Sequence, residues 1–144
     1  MKKWFSRHDY YVRKIVFSSP TIFFIGGLLM KENLIIARDV RKTIKYIEAN
    51  IYNFPNNYRD LKTNIINSCY EILRLVYTAN IEQEIIYKKK AIVEIKMLNF
   101  FLSQALDKEL ITKKKFLSYG KHLDNIHSMI YSWCNYEKSI KYVI

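Results

Sequence analysis

Three glycines and two prolines are all that punctuate the 144 residues of this chain. So few turn residues argue against a β-rich fold, which needs frequent reversals, and for long helices. Cysteine is equally sparse. Cys69 and Cys134 lie far apart inside apolar-periodic segments, where they read as buried reduced thiols that suit a cytoplasmic chain. Acidic side chains are in deficit, 13 against 24 basic, for a formal net charge of +11. That surplus favours polyanionic partners, nucleic acid above all. Part of it tracks composition, because the chain is also rich in Ile, Asn, Tyr and Phe, types that share A/T-rich codons with Lys. The length suits one domain, burying roughly 68–70% of its unfolded surface without staples.

Catalytic pattern is missing too. The three histidines, His8, His122 and His127, have no Cys or carboxylate placed at metal-ligand spacing, and no Glu-x-x-His pair occurs. No glycine-rich phosphate loop exists. Glu82 and Glu84 face different sides of one helix, and Ser68 and Ser132 have no base at hand in sequence. The expectation is a protein that is not an enzyme and uses no cofactor and no metal.

Residues 1–30 stand apart as a leader or poorly ordered extension. Met1–Lys14 carries five basic residues and one acid. Ile15–Met30 is apolar but broken by Ser18, Ser19, Pro20, Gly26 and Gly27, too short and interrupted for the ~20-residue span a membrane needs. An anchor or signal peptide ranks lower, since no small-x-small cleavage pattern follows. Met30 is an alternative start.

The clearest local signal is Phe54-Pro55-Asn56-Asn57-Tyr58-Arg59. Pro55 cannot donate its backbone N–H and disfavours helix at the residue before it, so a helix should stop near Phe54. Asn56 and Asn57 are candidate caps for the next. Around this break the apolar spacing predicts four helices: about 33–53, 57–79, 82–106 and onward from Thr112 as N-cap. Short gaps between them predict an all-α, antiparallel up-down-up-down four-helix bundle over 31–138, with a tail at 139–144 that is frayed or a contact arm.

The first helix carries Ile36, Val40, Ile44, Ile47, Ile51 and Phe54 on one stripe, with Arg38, Arg41, Lys42 and Lys45 on the other face. The second has a main stripe at Leu61, Ile65, Cys69, Ile72, Val76 and Ala79 and a second one at Ile66, Tyr70, Leu73 and Tyr77. One buried face does not need both, so the second stripe is a candidate subunit or partner contact, with cover from residues 1–30 as the competing reading. The third has its core side at Ile85, Ile92, Ile95, Leu98, Leu102 and Leu106, leaving Met97, Phe100 and Phe101 turned partly away. Lys88, Lys89, Lys90 and Lys96, together with Lys62 and Arg59, are candidate polyanion contacts. Arg59 has an equal structural reading, holding the connection through helix-end carbonyls. Lys113, Lys114 and Lys115 are accessible candidates at a connection. The fourth helix has a stripe at Phe116, Gly120, Leu123, His127, Ile130 and Cys134, with His127 read as a core histidine and Gly120 as a close helix crossing. Most tyrosines sit at core spacing; Tyr58, Tyr87 and Tyr131 are the better candidates for exposed stacking.

Phe54-Pro55…Arg59, Leu73 and Ala79-Asn80 resemble the accessory variability determinant (Avd) family of diversity-generating retroelements. Lys89-Lys90…Ile95-Lys96-Met97-Leu98…Leu102…Ala105 resembles that family's third helix, and Ile126…Met129-Ile130…Trp133 its C-terminal signature. The likeness spans about residues 31 to 137. His127, Tyr131 and Ser132 depart from the small residues expected there. The resemblance implies a pentameric barrel of four-helix bundles. It also implies a non-catalytic accessory subunit that binds a reverse transcriptase and its template RNA during mutagenic cDNA synthesis. On that footing Ile66, Tyr70, Leu73, Tyr77, Met97 and Phe101 are the candidate oligomer contacts, and no membrane partner is expected. The alternative is a generic oligomeric helical-bundle interaction protein with no specific nucleic-acid role.

Overall fold

A computed structural model of the protein describes the backbone of residues 17–25 and 28–143 and the side chains of residues 34–136. Two strands, β1 (Phe17–Ile25) and β2 (Leu28–Leu34), precede four helices: α1 (Ile35–Ile51), α2 (Arg59–Glu82), α3 (Ile85–Asp107) and α4 (Lys113–Val143). The four expected helices are therefore present. The strand pair was not expected, so "all-α" describes the body of the chain and not the segment ahead of it. Met1–Lys14 lies outside the described residues.

The strands run antiparallel, from Phe17 opposite Leu34 to Ile25 opposite Leu28, with a register shift between Phe17 and Thr21. Pro20 falls inside that irregularity, the place where a strand tolerates a residue lacking an N–H. β2 runs straight into α1: Leu34, the last strand residue, is buried and precedes the first helical turn, where no side chain caps the helix.

Each helix has two helical neighbours. α2 packs on α1 and α3, and α4 packs on α3 and α1. The α1 stripe lies inward as its spacing predicts, with Ile36, Val40, Ile44, Ile47 and Ile51 all buried. On α2 the inward row is Ile65, Ser68, Cys69, Ile72, Leu75, Val76 and Ala79. On α3 it is Lys88, Ala91, Ile95, Leu98, Leu102 and Ala105, a 3-4-3-4-3 spacing. Ile85, Ile92 and Leu106, assigned to that core from sequence, are only partly buried. Small alanines occupy the inner line instead.

The connections differ in mechanism from expectation. α1 ends at Ile51, Phe54 folds back to bond the Ile51 carbonyl at 3.2 Å, and Asn56–Tyr58 form a 3-10 turn that feeds α2. No side chain caps α2, so neither asparagine plays the capping part predicted for it. The turn itself supplies the geometry, through Tyr58 N–H to the Pro55 carbonyl at 2.9 Å. Gln83 closes α2 and Glu109 follows α3, both in the left-handed region at φ 55° and 59°. Leu110 N–H reaches the Ala105 carbonyl at 2.9 Å, the 6→1 bond of a Schellman ending. Thr112 caps α4 as expected, its Oγ1 accepting from Lys115 N–H at 3.1 Å. α4 stays helical to Val143, past the point where a frayed tail was expected.

Gly120 departs most from its predicted role. A methyl group built there would meet nothing within 4 Å, so no close helix crossing requires the glycine. It opens instead onto a groove between α3 and α4.

Candidate polyanion and partner interfaces

Of the cations proposed from sequence, eight reach solvent: Lys42 and Lys45 on α1, Arg59 at the start of α2, Lys89, Lys90 and Lys96 on α3, and Lys113 and Lys114 at the start of α4, with Lys115 half-buried. Arg38 is half-buried and sits 3.8 Å from the Asp39 carboxylate, while Arg41 is half-buried with its Nε out of reach of water. The proposed α1 stripe is therefore uneven, with free charge concentrated at Lys42 and Lys45. Lys62 donates from Nζ to the Tyr52 carbonyl at 2.8 Å, just past the end of α1. It does what Arg59 was expected to do, binding the helix-end carbonyl across the break. Sequence could have suggested this, because Lys62 stands one turn inside α2 with a long flexible side chain.

Lys88 corrects the sequence reading outright. It is 1% exposed, and its ammonium lies 4.1 Å from the centroid of the Trp133 ring. A cation held there does not reach a polyanion at the surface. The signal was present in its spacing: three residues before Ala91 and seven before Ile95, Lys88 falls on the inward row of α3.

The proposed oligomer contacts do not assemble on one open face. Ile66, Leu73, Tyr77 and Phe101 are partly buried against the core. Tyr70 and Met97 remain exposed, on different helices. The second stripe of α2 borders α1, where the Glu48 carboxylate accepts from Tyr70 and raises the pKa of its phenol. Much of the surplus apolar face that sequence assigned to a subunit, Ile66, Leu73 and Tyr77, is thus partly buried within the chain. Further exposed apolar side chains are Ile81 at the end of α2, Ile86, Val93, Met97 and Phe100 on α3, and Leu117 and Tyr131 on α4.

Glu48 also faces Cys69. Burial first, and the carboxylate second, push that thiol up to about 12. Cys69 is therefore a protonated, unreactive core residue, as its position in the apolar row suggested. Ser68 beside it does have a carboxylate in reach, which sequence missed: its hydroxyl donates to Glu94 Oε1 at 2.8 Å, tying α2 to α3. The serine is buried at a helix–helix seam, and the bond satisfies a polar group there.

Two grooves flank α3. One, of about 390 Å³ beside α2, is polar, with Asn64, Asn67, Glu71 and Arg74 along its wall. The other, of about 610 Å³ beside α4, runs over Gly120 between Lys96, Leu117, Lys121 and His127. His127 is half-buried in that groove and stacks on Tyr131, ring centroids 6.2 Å apart, so it is not the core histidine predicted. The other tyrosine expectations divide. Tyr119 is fully buried, Tyr131 is exposed, and Tyr58 and Tyr87 are half-buried with Lys108 and Lys90 over their rings at 5.8 and 5.7 Å. No helix is long and apolar enough to cross a membrane, among the described residues. Comparison with protein-family models, with curated proteins and with solved structures finds no match to this chain.

Proposed function

We propose that the protein is a non-catalytic accessory subunit, an antiparallel four-helix bundle of the Avd type that binds a reverse transcriptase and its template RNA. The observation that carries it is the state of the surface cations. Ion pairs join Arg38 to Asp39 and Arg74 to Glu71. Lys42, Lys45, Arg59, Lys89, Lys90 and Lys96 face water with no carboxylate neutralising them, and of these Lys42 and Lys45 on α1 are the ones assigned to phosphates. The antiparallel order is supported by Lys88, one turn into α3, lying against Trp133 late in α4. Assembly into a pentameric barrel rests on the family resemblance alone, and a cytoplasmic location on the two free thiols.

The test is RNA affinity as a function of salt. Each phosphate contact removed should flatten the log–log slope by about 0.7–0.9. Replacing Lys42 and Lys45 by Gln is expected to do so and to weaken binding. An unchanged affinity and slope would remove α1 from the RNA face. Co-purification with a reverse transcriptase tests the partner, and light scattering tests the oligomer.

The second reading, a helical-bundle interaction protein without a nucleic-acid role, is favoured by the exposed apolar residues of α3. RNA binding that ignores salt, or no RNA binding, would select it.

A further inference from the structure

The outward side of α3 has its own order. Ile86, Lys90, Val93, Met97, Phe100 and Gln104 follow one another at spacings of 4, 3, 4, 3 and 4. That is the period of a coiled-coil seam. At about 100° per residue these positions lie opposite the inward row of Lys88, Ala91, Ile95, Leu98, Leu102 and Ala105. The apolar members are 49, 58, 40 and 52% exposed at Ile86, Val93, Met97 and Phe100, so no described part of the chain covers them. From Ile86 to Phe100 the seam runs about 21 Å, two heptads of a docked helix.

The charges around it have one sign. Lys89, Lys90 and Lys96 are exposed on or beside the seam. The single acid of α3 before Asp107 is Glu94, whose carboxylate accepts from Ser68 on the α2 side. The chain offers itself no complement: Met1–Lys14 carries a net +4, and 137–144 holds two lysines against one glutamate. A second copy of α3 would bring three more lysines against these three. Nucleic acid would satisfy the lysines and leave four large apolar side chains wet.

We propose that the outward seam of α3 is a docking face for an acidic amphipathic helix of another protein, with apolar residues at 3-4 spacing and Glu or Asp on its flanks. The apolar row supplies affinity and register, and the lysines select charge and speed encounter. This is independent of RNA binding through α1.

The test uses the full chain and a labelled synthetic peptide of about three heptads, with Leu along its seam and Glu beside it, read by fluorescence anisotropy. Binding is expected. It should weaken about tenfold or more for the Val93→Ser/Phe100→Ser variant, the loss typical of removing central apolar anchors. It should fall with added salt and in Lys89→Gln/Lys90→Gln/Lys96→Gln. Every substituted side chain is exposed, and circular dichroism confirms that the variants fold. Lys42→Gln/Lys45→Gln should bind the peptide normally, so failure here and failure of the RNA assignment are separately visible. The proposal is overturned if the peptide does not bind, or if a scrambled peptide of equal charge binds as well. It is also overturned if Val93→Ser/Phe100→Ser leaves affinity unchanged, dissociates a homo-oligomer, or weakens RNA instead.

Discussion

The ammonium of Lys88 lies 4.1 Å from the centre of the Trp133 ring, inside the contact between α3 and α4. A desolvated cation over an indole face is stabilised by about 2 kcal/mol, and the lysine stem adds packing. A double-mutant cycle with Lys88→Met and Trp133→Leu, read by urea unfolding, should give a coupling of about 1–2 kcal/mol. Additivity within about 0.3 kcal/mol would mean the two groups are neighbours without attraction.

Cys69 sets an alkaline limit on stability. Its thiol is raised from 9.0 to about 12 in the folded chain. Below pH 9 both folded and unfolded forms hold the proton, and the stabilisation is complete. Between pH 9 and 12 only the unfolded thiol ionises, so stability falls with rising pH, by at most about 1.4 kcal/mol per unit from this group. Burial and the neighbouring Tyr46 raise Tyr119 to about 12 as well, adding a fall that starts near pH 10. Urea titrations at pH 8 and 10.5 should show the loss, and Cys69→Ala should show a smaller one.

Gly120→Ala should stabilise the protein. The added methyl group meets open space, and alanine is favoured over glycine in a helix by about 1 kcal/mol. For a chain of this size that raises Tm by about 2–4 °C. A lower Tm would restore the close-crossing role that sequence suggested.

Ser68→Ala should cost about 0.5–1.5 kcal/mol, the net worth of the bond its buried hydroxyl donates to Oε1 of the half-buried Glu94. Adding Glu94→Gln to Ser68→Ala should recover part of the loss, since a neutral amide is less costly to leave unpaired than a carboxylate. Thermal melts of the single and double variants check this.

Much of the fold was legible because helix period and stop signals are local. The α1 stripe, the halt before Pro55 and the Thr112 cap needed only neighbours in sequence. What failed depended on distance between helices. Ala91 and Ala105 occupy the core of α3 in place of Ile92 and Leu106, a choice made by how near the partner helices come. Lys88 was read as surface because of its charge, although its spacing matched the buried row. Tyr77 was read as surplus surface because nothing in α2 reveals how much of that side is buried against the rest of the chain. The strand pair was missed because Pro20 and the apolar run around it give no clean alternation. At the candidate interface, Lys42, Lys45, Lys89, Lys90 and Lys96 were found from charge alone, while the role of Lys62 required the position of Tyr52.

Gln83 and Glu109 bracket α3 with left-handed residues that are not glycine. A side chain at such a position narrows the conformations open to the joint, where glycine would widen them. α3 is thus a rod clamped at both ends rather than one hung on hinges. Its backbone is already ordered before any ligand arrives, so the ordering cost of association there falls on its side chains.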